Sequence, residues 1–290
     1  MSSPQTAGSP VARFVDASTR TVTAAGATFV YRELGSGRPD TPPLVALTHL
    51  GANLDSWDPE VVDPLAEGRR VILISYRGVG ESSGTVRDSV DDMAADAIAV
   101  IRALGLQRID LFGMSMGGMV AQAIVEQAPG LVSRLILAGS APRGGLGLDR
   151  MPGVMARSIL RGTVSFTKPT SLLFFTRTTN GMLAAEAYQA RLTLRTVGRD
   201  KAVALNVIRT QLASVKRWGH VRGLAASGRF DGPVLVLHGD RDRMVPVANV
   251  ESLSAVFPQA EVRIFADSGH GVVFQNQRVA TATISRFLER

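Results

Sequence analysis

The sequence predicts an α/β fold: a mostly parallel, eight-stranded sheet flanked by helices and interrupted by an inserted helical segment. From Leu44 onward, short apolar runs alternate with stretches of helical periodicity, which is typical of a parallel sheet with helices on both faces. Between Ala138 and Val234 this alternation stops and only helical periodicity remains. A serine between two glycines also lies where one strand-like run changes into a helical stretch.

Eight runs have the length and apolar composition of strands. They are residues 11–15, 28–32, 44–48, 71–75, 109–112, 134–138, 234–237 and 262–265. The first two precede the alternation and are predicted to form an antiparallel edge. Helical periodicity is clearest in residues 90–104, 116–127, 178–194 and 201–218.

These elements divide the 290-residue chain into three parts. Residues 1–10 are rich in Ser, Pro, Gly and Thr and predict a disordered N-terminal arm. Residues 11–142 and 230–290 are predicted to form one α/β core domain, and residues 143–229 a helical insertion within it. With 45% hydrophobic residues, a chain of this length can bury a full core.

The candidate nucleophile is Ser115, in the run Gly113-Met114-Ser115-Met116-Gly117. A serine between two glycines at a strand-to-helix turn is the nucleophile elbow of serine hydrolases. The glycines lack a Cβ and therefore permit a turn too sharp for other residues. The first amides of the following helix then face any negative charge that develops beside Ser115, and the amide of Met116 is the nearest donor.

A seryl hydroxyl needs a base, and elimination among the four histidines favours His270. His49 and His238 end strand-like runs, and His220 lies in a basic helical stretch. We interpret these three as structural histidines with satisfied hydrogen bonds. Only His270 follows the last strand-like run in a loop with flanking glycines, from which an imidazole can reach the carboxyl edge of the sheet.

The acid that orients the base is expected after a strand between Ser115 and His270. Asp240 and Asp242 both follow the run 234–237, and the spacing to Val245-Pro246 favours Asp242. Asp240 is then a turn former or a partner for a neighbouring arginine. The position after the run 134–138 carries no carboxylate, which also favours Asp242.

These motifs resemble the α/β-hydrolase superfamily, in particular its capped serine esterases and cofactor-free haloperoxidase-like members. The resemblance extends over residues 22–290 and includes an Arg-Gly-x-Gly-x-Ser loop at residues 77–82 and the segments around Asp242 and His270. It implies an α/β-hydrolase fold in which residues 143–229 cap the active site. It also implies a second oxyanion amide from the loop after the early strand. There Thr48-His49 replaces the usual His-Gly, so the donor is Leu50 or, alternatively, Gly51.

The residues near the elbow and in the insertion suggest an apolar, adaptable acyl pocket. Methionine fills irregular apolar space and tolerates varied shapes. The candidate pocket residues are Met114, Met119, Phe174 and Trp218. The same residues would also be found in any buried core, so they do not identify the substrate.

Several other functional classes have little support. The third glycine after Gly78-Val79-Gly80 comes one residue late for a dinucleotide fingerprint, so no nucleotide cofactor is expected. Superfamily members with an aspartate nucleophile, the dehalogenases and epoxide hydrolases, are disfavoured by Ser115. The chain has no Cys and its histidines are scattered, so no metal site is expected. A cysteine-free chain without an apolar leader suits the cytoplasm.

The insertion is strongly basic. Residues 143–229 contain 15 Lys and Arg against 3 Asp and Glu, a net charge of +12, whereas the whole chain has +7. This indicates either a solvated helical surface or a positive funnel that attracts a substrate with an anionic group. Nucleic-acid binding is not expected, because aromatic residues are few. Stable membrane insertion is not expected either, and we interpret the apolar patch 171–175 as packing against the core.

Together the residues predict a cofactor-independent serine hydrolase acting on a small, largely apolar carboxylic ester or lactone. Ser115 would be the nucleophile, His270 the base and Asp242 the orienting acid. The alternatives are a C–C bond hydrolase or a perhydrolase of haloperoxidase type with the same triad, and a non-catalytic ligand-sensing protein. Family C–C hydrolases usually carry Trp after the catalytic histidine, where this chain has Gly271. The oligomeric state is left open.

Overall fold

A computed structural model describes residues 13–37, 41–221 and 230–290 of the chain. Its centre is one eight-stranded sheet with the order β1-β2-β4-β3-β5-β6-β7-β8. The strands are β1 (Thr19–Ala24), β2 (Ala27–Leu34), β3 (Leu44–Leu47), β4 (Val71–Ile74), β5 (Ile109–Met114), β6 (Val132–Ala138), β7 (Val234–Gly239) and β8 (Glu261–Phe265). Strand β2 pairs antiparallel with both β1 and β4, and all other neighbours are parallel. The predicted α/β-hydrolase fold class is confirmed.

The first predicted strand, residues 11–15, is wrong. Residues 14–16 form a turn, and the first strand begins at Thr19. The apolar character of this stretch has another cause: Phe14 is buried in the core, and its amide donates to Asp63 Oδ1 at 2.7 Å. Residues 11 and 12 and the predicted arm 1–10 lie outside the described residues.

Helices cover both faces of the sheet, which is why strands β3, β4 and β5 are buried at every position. The core helices are α1 (Pro59–Leu65), α2 (Val90–Ala103), α3 (Met116–Gln127), α8 (Asn249–Val256), α9 (Val272–Gln275) and α10 (Gln277–Leu288). Helix α2 begins after Ser89, whose hydroxyl accepts from the Asp92 amide and so caps the helix.

Between β6 and residue 221, where the description of this stretch ends, the chain forms four further α-helices. They are α4 (Met151–Ser165), α5 (Pro169–Phe174), α6 (Thr179–Arg191) and α7 (Leu205–His220). No strand occurs in this stretch as far as the structure describes it, that is, up to residue 221. We call residues 143–229 the inserted segment. Its apolar patch 171–175 does pack inward, since Leu173, Phe174 and Phe175 are buried.

Much of the positive charge of the inserted segment lies against carboxylates of the core. The ion pairs are Arg143 with Asp91 and Glu126, Arg191 with Asp58 and Glu60, Arg195 and Arg199 with Asp55, Lys201 with Glu81, and Arg217 with Asp88. The exposed pairs contribute little to stability, but the Arg191–Asp58 pair at 2.7 Å is largely shielded from water. Part of the net charge therefore serves to attach the segment to the core.

Asp200 joins the inserted segment to two core loops. Its carboxylate accepts from the amides of Leu54 at 3.2 Å and Glu81 at 2.8 Å, and from its neighbour Lys201 at 2.9 Å. A side chain at Gly80, whose φ is +60°, would overlap this carboxylate. The close approach therefore requires glycine at position 80.

We expect Gly80→Ala to lower the free energy of unfolding by about 1–3 kcal/mol, the usual cost of overpacking, with added strain from the positive φ. Urea unfolding of the variant measures this loss. The matched control is Gly130→Ala, because a Cβ there meets no atom within 4 Å; it should stay within about 0.5 kcal/mol of wild type. Equal effects at both glycines would contradict the Asp200 contact.

Candidate active site

Ser115 lies between the end of β5 and the start of α3, at the carboxyl edge of the sheet. Its backbone is strained, with φ 55° and ψ −118°. A Cβ at Gly113 would overlap the carbonyl oxygen of Gly117, and a Cβ at Gly117 would overlap that of Leu47 on β3. The strand-to-helix turn is thus possible only with glycine two residues before and two residues after the serine.

The structure brings Ser115, His270 and Asp242 into one hydrogen-bonded chain. Ser115 Oγ lies 2.8 Å from His270 Nε2, and His270 Nδ1 lies 2.7 Å from Asp242 Oδ2. Because a carboxylate only accepts, Nδ1 carries the proton and Nε2 is free to accept from the serine hydroxyl. All three residues are buried. This is the arrangement in which an imidazole acts as a general base toward serine.

Asp242 is fixed from several sides. Its Oδ1 accepts from the amides of Met244 at 2.8 Å and Val245 at 2.9 Å, and His238 Nε2 lies 3.5 Å from its Oδ2. Burial alone would raise the pKa of Asp242, but the nearby His270 and His238 rings outweigh it and hold that pKa below its ordinary value. The carboxylate is therefore ionised at neutral pH.

Asp240 has a different position. It is exposed, and its Oδ1 accepts from the Ser268 amide at 3.1 Å. It thereby ties the turn after β7 to the loop that carries His270, without a described contact to the imidazole. Of the two carboxylates that the sequence offered, Asp242 is the one beside the histidine.

Two of the other histidines differ from the sequence-based expectation of satisfied hydrogen bonds. His49 Nε2 and His238 Nδ1 are buried and have no hydrogen-bond partner among the described residues. The other nitrogen of each ring faces a backbone carbonyl. His49 Nδ1 lies 2.9 Å from the carbonyl oxygen of Leu50, and His238 Nε2 lies 2.9 Å from that of Val245. His220 is exposed on α7. The expectation is wrong for one nitrogen of each buried ring, because adjacent backbone occupies only the other nitrogen.

The candidate oxyanion donors lie on two sides of the serine. Met116 is the first residue of α3, so its amide is one of the unpaired donors at a helix N-terminus. The Gly51 amide is occupied, since it donates to Gln211 Oε1 of α7 at 2.8 Å. For the amides of Leu50 and Met116 no acceptor is found in the described parts of the chain. This contrast favours Leu50 over Gly51 as the second donor.

The predicted pocket residues do not form one group. The ring of Phe174 lies 5.5 Å from that of His270 and 4.7 Å from that of His49, edge to face in both cases, so it borders the triad. Trp218 instead packs at the junction with the core, where its Nε1 donates to the Ala141 carbonyl and Arg143 covers its ring. Met114 on β5 and Met119 on α3 are fully buried core residues.

Sequence reasoning missed Gln211. The buried face of α7 contains Val207, Gln211, Ser214, Val215 and Trp218, at the spacing of one helical stripe. A glutamine in an otherwise largely apolar stripe was the available signal. Phe274, which stacks with Phe174 at 6.0 Å, was missed as well because it follows the histidine on the short helix α9.

Within residues 13–37, 41–221 and 230–290, no three His, Cys, Asp or Glu side chains are grouped so that they could hold a metal ion. In the same ranges, no helix combines the length and the apolar character needed to cross a membrane.

Comparison with known proteins identifies the family. Residues 42–277 match the model of the alpha/beta hydrolase fold. The chain belongs to the α/β-hydrolase family. Its mostly parallel, eight-stranded sheet with flanking helices is the fold that the resemblance in sequence implied.

This α/β-hydrolase is similar to enzymes with different recorded reactions. It is 27% identical to a non-heme haloperoxidase of Rhodococcus erythropolis, over 91% of this chain and 97% of the relative. It is 30% identical to a 2-hydroxy-6-oxononadienedioate/2-hydroxy-6-oxononatrienedioate hydrolase of Dechloromonas aromatica, over 83% of each chain. Among solved structures, an alpha/beta hydrolase fold protein from Chitinophaga pinensis matches with a TM-score of 0.87 and 29% identity, over 96% of this chain and 99% of that one.

The buried His49 leads to a prediction about acid stability. Burial, with a smaller contribution from the nearby His270, lowers its pKa to about 4 from 6.5. Between these two pH values only the unfolded chain binds a proton at His49, so stability is lost as pH falls through this window and is unaffected above it. From pH 7 to pH 4 the loss should be about 3 kcal/mol.

Urea unfolding at several pH values, for wild type and His49→Phe, isolates this contribution. The free energy of unfolding of wild type, minus that of His49→Phe, should decrease by about 3 kcal/mol from pH 7 to pH 4. His220→Gln, which removes an exposed histidine of α7, serves as the control. If the difference in the free energy of unfolding between wild type and His49→Phe stayed constant from pH 7 to pH 4, His49 would not remain neutral in the folded protein over this range.

Proposed function

We propose that this protein is a cofactor-independent serine hydrolase that cleaves a carboxylic ester or lactone. The observation that carries the proposal is the hydrogen-bonded chain from Ser115 Oγ through His270 to Asp242, with links of 2.8 and 2.7 Å. The Asp242 carboxylate orients the imidazole of His270, and this imidazole accepts the proton of the Ser115 hydroxyl.

In the proposed reaction, Ser115 Oγ attacks the carbonyl carbon while His270 Nε2 takes its proton. The negative charge that develops on the carbonyl oxygen is bound by the amides of Met116 and Leu50. The ester bond then breaks, and His270 returns the proton to the departing alcohol. Water, activated in turn by His270, attacks the acyl-enzyme and releases the carboxylic acid and free Ser115.

The proposal assigns the inserted segment, residues 143–229, the role of a cap. Support comes from Phe174 of α5, which contacts His270, and from Gln211 of α7, which binds the loop of the second oxyanion donor. Ser115 itself is only 3% exposed, so substrate has to enter beneath this segment. An enclosed site excludes bulk water and strengthens the electrostatic interactions around the oxyanion.

C–C bond hydrolysis with the same three residues is the second candidate. The residue after the histidine argues against it here. A Cβ at Gly271 would approach Phe174 Cβ to 2.8 Å, so the tryptophan usual in family C–C hydrolases would not fit without displacing Phe174. Perhydrolysis, in which hydrogen peroxide replaces water in the second step, uses the same acyl-enzyme and is tested with the same substrates.

The positive charge of the inserted segment gives less support to an anionic substrate than the sequence alone suggested. Six of its cations are paired with core carboxylates, as described above. The remaining positive charge includes the exposed Arg177, which lines a groove with Arg241 and Arg243. Because six cations of the segment pair with the core, we propose that the substrate is a neutral, largely apolar small-molecule ester or lactone.

The assignment of the nucleophile is tested by covalent labelling. A fluorophosphonate probe should label wild-type protein at Ser115, because only this hydroxyl is paired with the imidazole of the triad. Ser115→Ala should abolish labelling and nearly all hydrolysis of p-nitrophenyl esters. A residual rate of about 10³-fold over water is expected from the oxyanion donors and substrate binding. Labelling that persists in the variant would refute the assignment, and a wild-type protein that takes no label would favour a non-catalytic, ligand-sensing role.

Two isosteric substitutions distinguish the carboxylates. Asp242→Asn should lower kcat by roughly 10⁴-fold, because an amide stabilises the wrong tautomer of His270. Asp240→Asn should remain within about tenfold of wild type, since its amide oxygen still accepts from the Ser268 amide. Steady-state kinetics on one p-nitrophenyl ester compare the two. A larger loss for Asp240→Asn would overturn the proposed triad.

A further inference from the structure

Gln211 carries a buried hydrogen-bond donor that the protein leaves unused. The residue is 0% exposed on helix α7, and its Oε1 accepts from the Gly51 amide at 2.8 Å. Its Nε2 is also buried and has no partner among the described residues. Because an amide N–H has to face an oxygen, the bond to Gly51 fixes which end of the side chain is Nε2. The free donor is therefore a consequence of the contact and not of an ambiguous amide orientation.

His49 carries the complementary unused group. Its Nδ1 lies 2.9 Å from the Leu50 carbonyl, which only accepts, so this nitrogen bears the proton. The buried ring stays neutral at pH 7, because its pKa is lowered to about 4 by burial first and by His270 second. Its Nε2 is then a buried lone pair without a described partner. The ring shares Phe174 with His270, which places it beside the triad.

Both unused groups belong to side chains that bind consecutive residues of one loop. Gln211 holds the amide of Gly51 and His49 holds the carbonyl of Leu50, the residue whose own amide is the proposed second oxyanion donor. Leaving a buried donor or acceptor unpaired costs about 1–3 kcal/mol each. The two groups therefore offer a donor and an acceptor beside the loop of the proposed oxyanion donor, and a bound molecule that pairs with both would offset this cost.

We propose that Gln211 Nε2 and His49 Nε2 form a substrate-recognition pair for a neutral amide in the acyl part of the ester or lactone. The amide carbonyl of the substrate accepts from Gln211, and its N–H donates to His49. This inference rests on the proposed ester or lactone hydrolysis and specifies its substrate class. We assign the amide to the acyl side because both side chains bind the loop of the proposed oxyanion donor, which holds the acyl carbonyl oxygen.

The chemistry of the pair excludes charged groups in this position. A carboxylate would meet the lone pair of His49, and an ammonium group would leave the Gln211 donor unpaired. Either ion would also lose its hydration in a site where Gln211, His49, Ser115 and His270 are all buried. A hydroxyl group can satisfy one member of the pair, but it reaches both only if the two nitrogens converge on a single oxygen.

Three p-nitrophenyl esters of nearly equal size test the pair one hydrogen bond at a time. The N-acetylglycine ester has both the carbonyl and the N–H. The 4-oxopentanoate ester keeps the carbonyl and replaces N–H by CH₂, and the 4-methylpentanoate ester has neither group. The measured quantity is kcat/KM divided by the second-order rate constant for attack of a simple oxygen nucleophile on the same ester, taken at constant pH from the dependence on nucleophile concentration. Differences in intrinsic reactivity then cancel, and the intramolecular cyclisation of the N-acetylglycine ester does not contribute.

For wild type we expect a stepwise decrease of roughly fivefold to tenfold from the N-acetylglycine ester to the 4-oxopentanoate ester, and again to the 4-methylpentanoate ester, the contribution of one hydrogen bond at each step. Gln211→Met should remove the second step, and His49→Phe should remove the first. The control is Ser214→Ala on the same buried face of α7, where the hydroxyl donates only to the Thr210 carbonyl; it should keep both steps.

Gln211→Glu provides a second variant in case Gln211→Met does not fold. It keeps an oxygen for the Gly51 amide but replaces the donor, so it should also remove the second step. Equal wild-type values for the three esters would overturn the inference and indicate that water fills the pair. The inference would also be overturned if a variant slowed the hydrolysis of all three esters equally, because the substituted residue would then have a structural role only.

The failure of the inference and the failure of the proposed function give different results. If wild type hydrolyses the 4-methylpentanoate ester in a Ser115-dependent manner but does not discriminate among the three esters, only the recognition pair is wrong. If wild type hydrolyses none of them, the proposed ester hydrolysis fails first. A 3-hydroxybutyrate ester tests whether the recognised group is a hydroxyl. A rate above that of the N-acetylglycine ester would overturn the proposed amide and indicate that the pair binds a hydroxyl group of the substrate.

Discussion

The sharp backbone turn at Ser115 is the constraint on which the rest of the site depends. The serine has φ 55° because β5 has to end and α3 begin without an intervening loop. Gly117 makes this possible by lying against the Leu47 carbonyl of β3, with no room for a side chain. The turn places Oγ at the carboxyl edge of the sheet, beside the first amides of α3. A relaxed turn would lose the nucleophile position and the oxyanion donor together.

The parallel sheet delivers the other two members of the triad to that point. Strands β5, β7 and β8 all end at the carboxyl edge, so the loops after them meet although Ser115 and His270 are 155 positions apart. Two hydrogen bonds from the backbone hold Asp242, and Asp240 ties its turn to the histidine loop. The proposed triad therefore lies on loops at strand ends and is held by further hydrogen bonds, which suits the precise geometry that the proposed reaction requires.

The inserted segment is coupled to the chemistry through the loop after β3. Gln211 binds Gly51 and Asp200 binds Leu54, so two side chains of the insertion hold the loop that carries the proposed oxyanion donor. Arginines of the same segment pair with Asp58, the residue before α1, and with Asp91 of α2, and these pairs attach the segment to the core. A displacement of the insertion would therefore also disturb the loop that carries the proposed oxyanion donor.

The sequence by itself determined the sheet, its alternation with helices, the helical insertion and the three residues of the proposed triad. These follow from periodicity and from glycine positions, both of which are local. It was wrong about the strand at residues 11–15, because burial of Phe14 under α1 produces the same apolar signal as a strand. Only the tertiary structure showed that the Gly51 amide is occupied, which favours Leu50 as the second donor, that part of the basic charge pairs with the core, and that Gln211 contacts this loop. Each of these depends on a contact between segments far apart in the chain, and a local pattern carries no information about which distant partner a donor or a charge will meet.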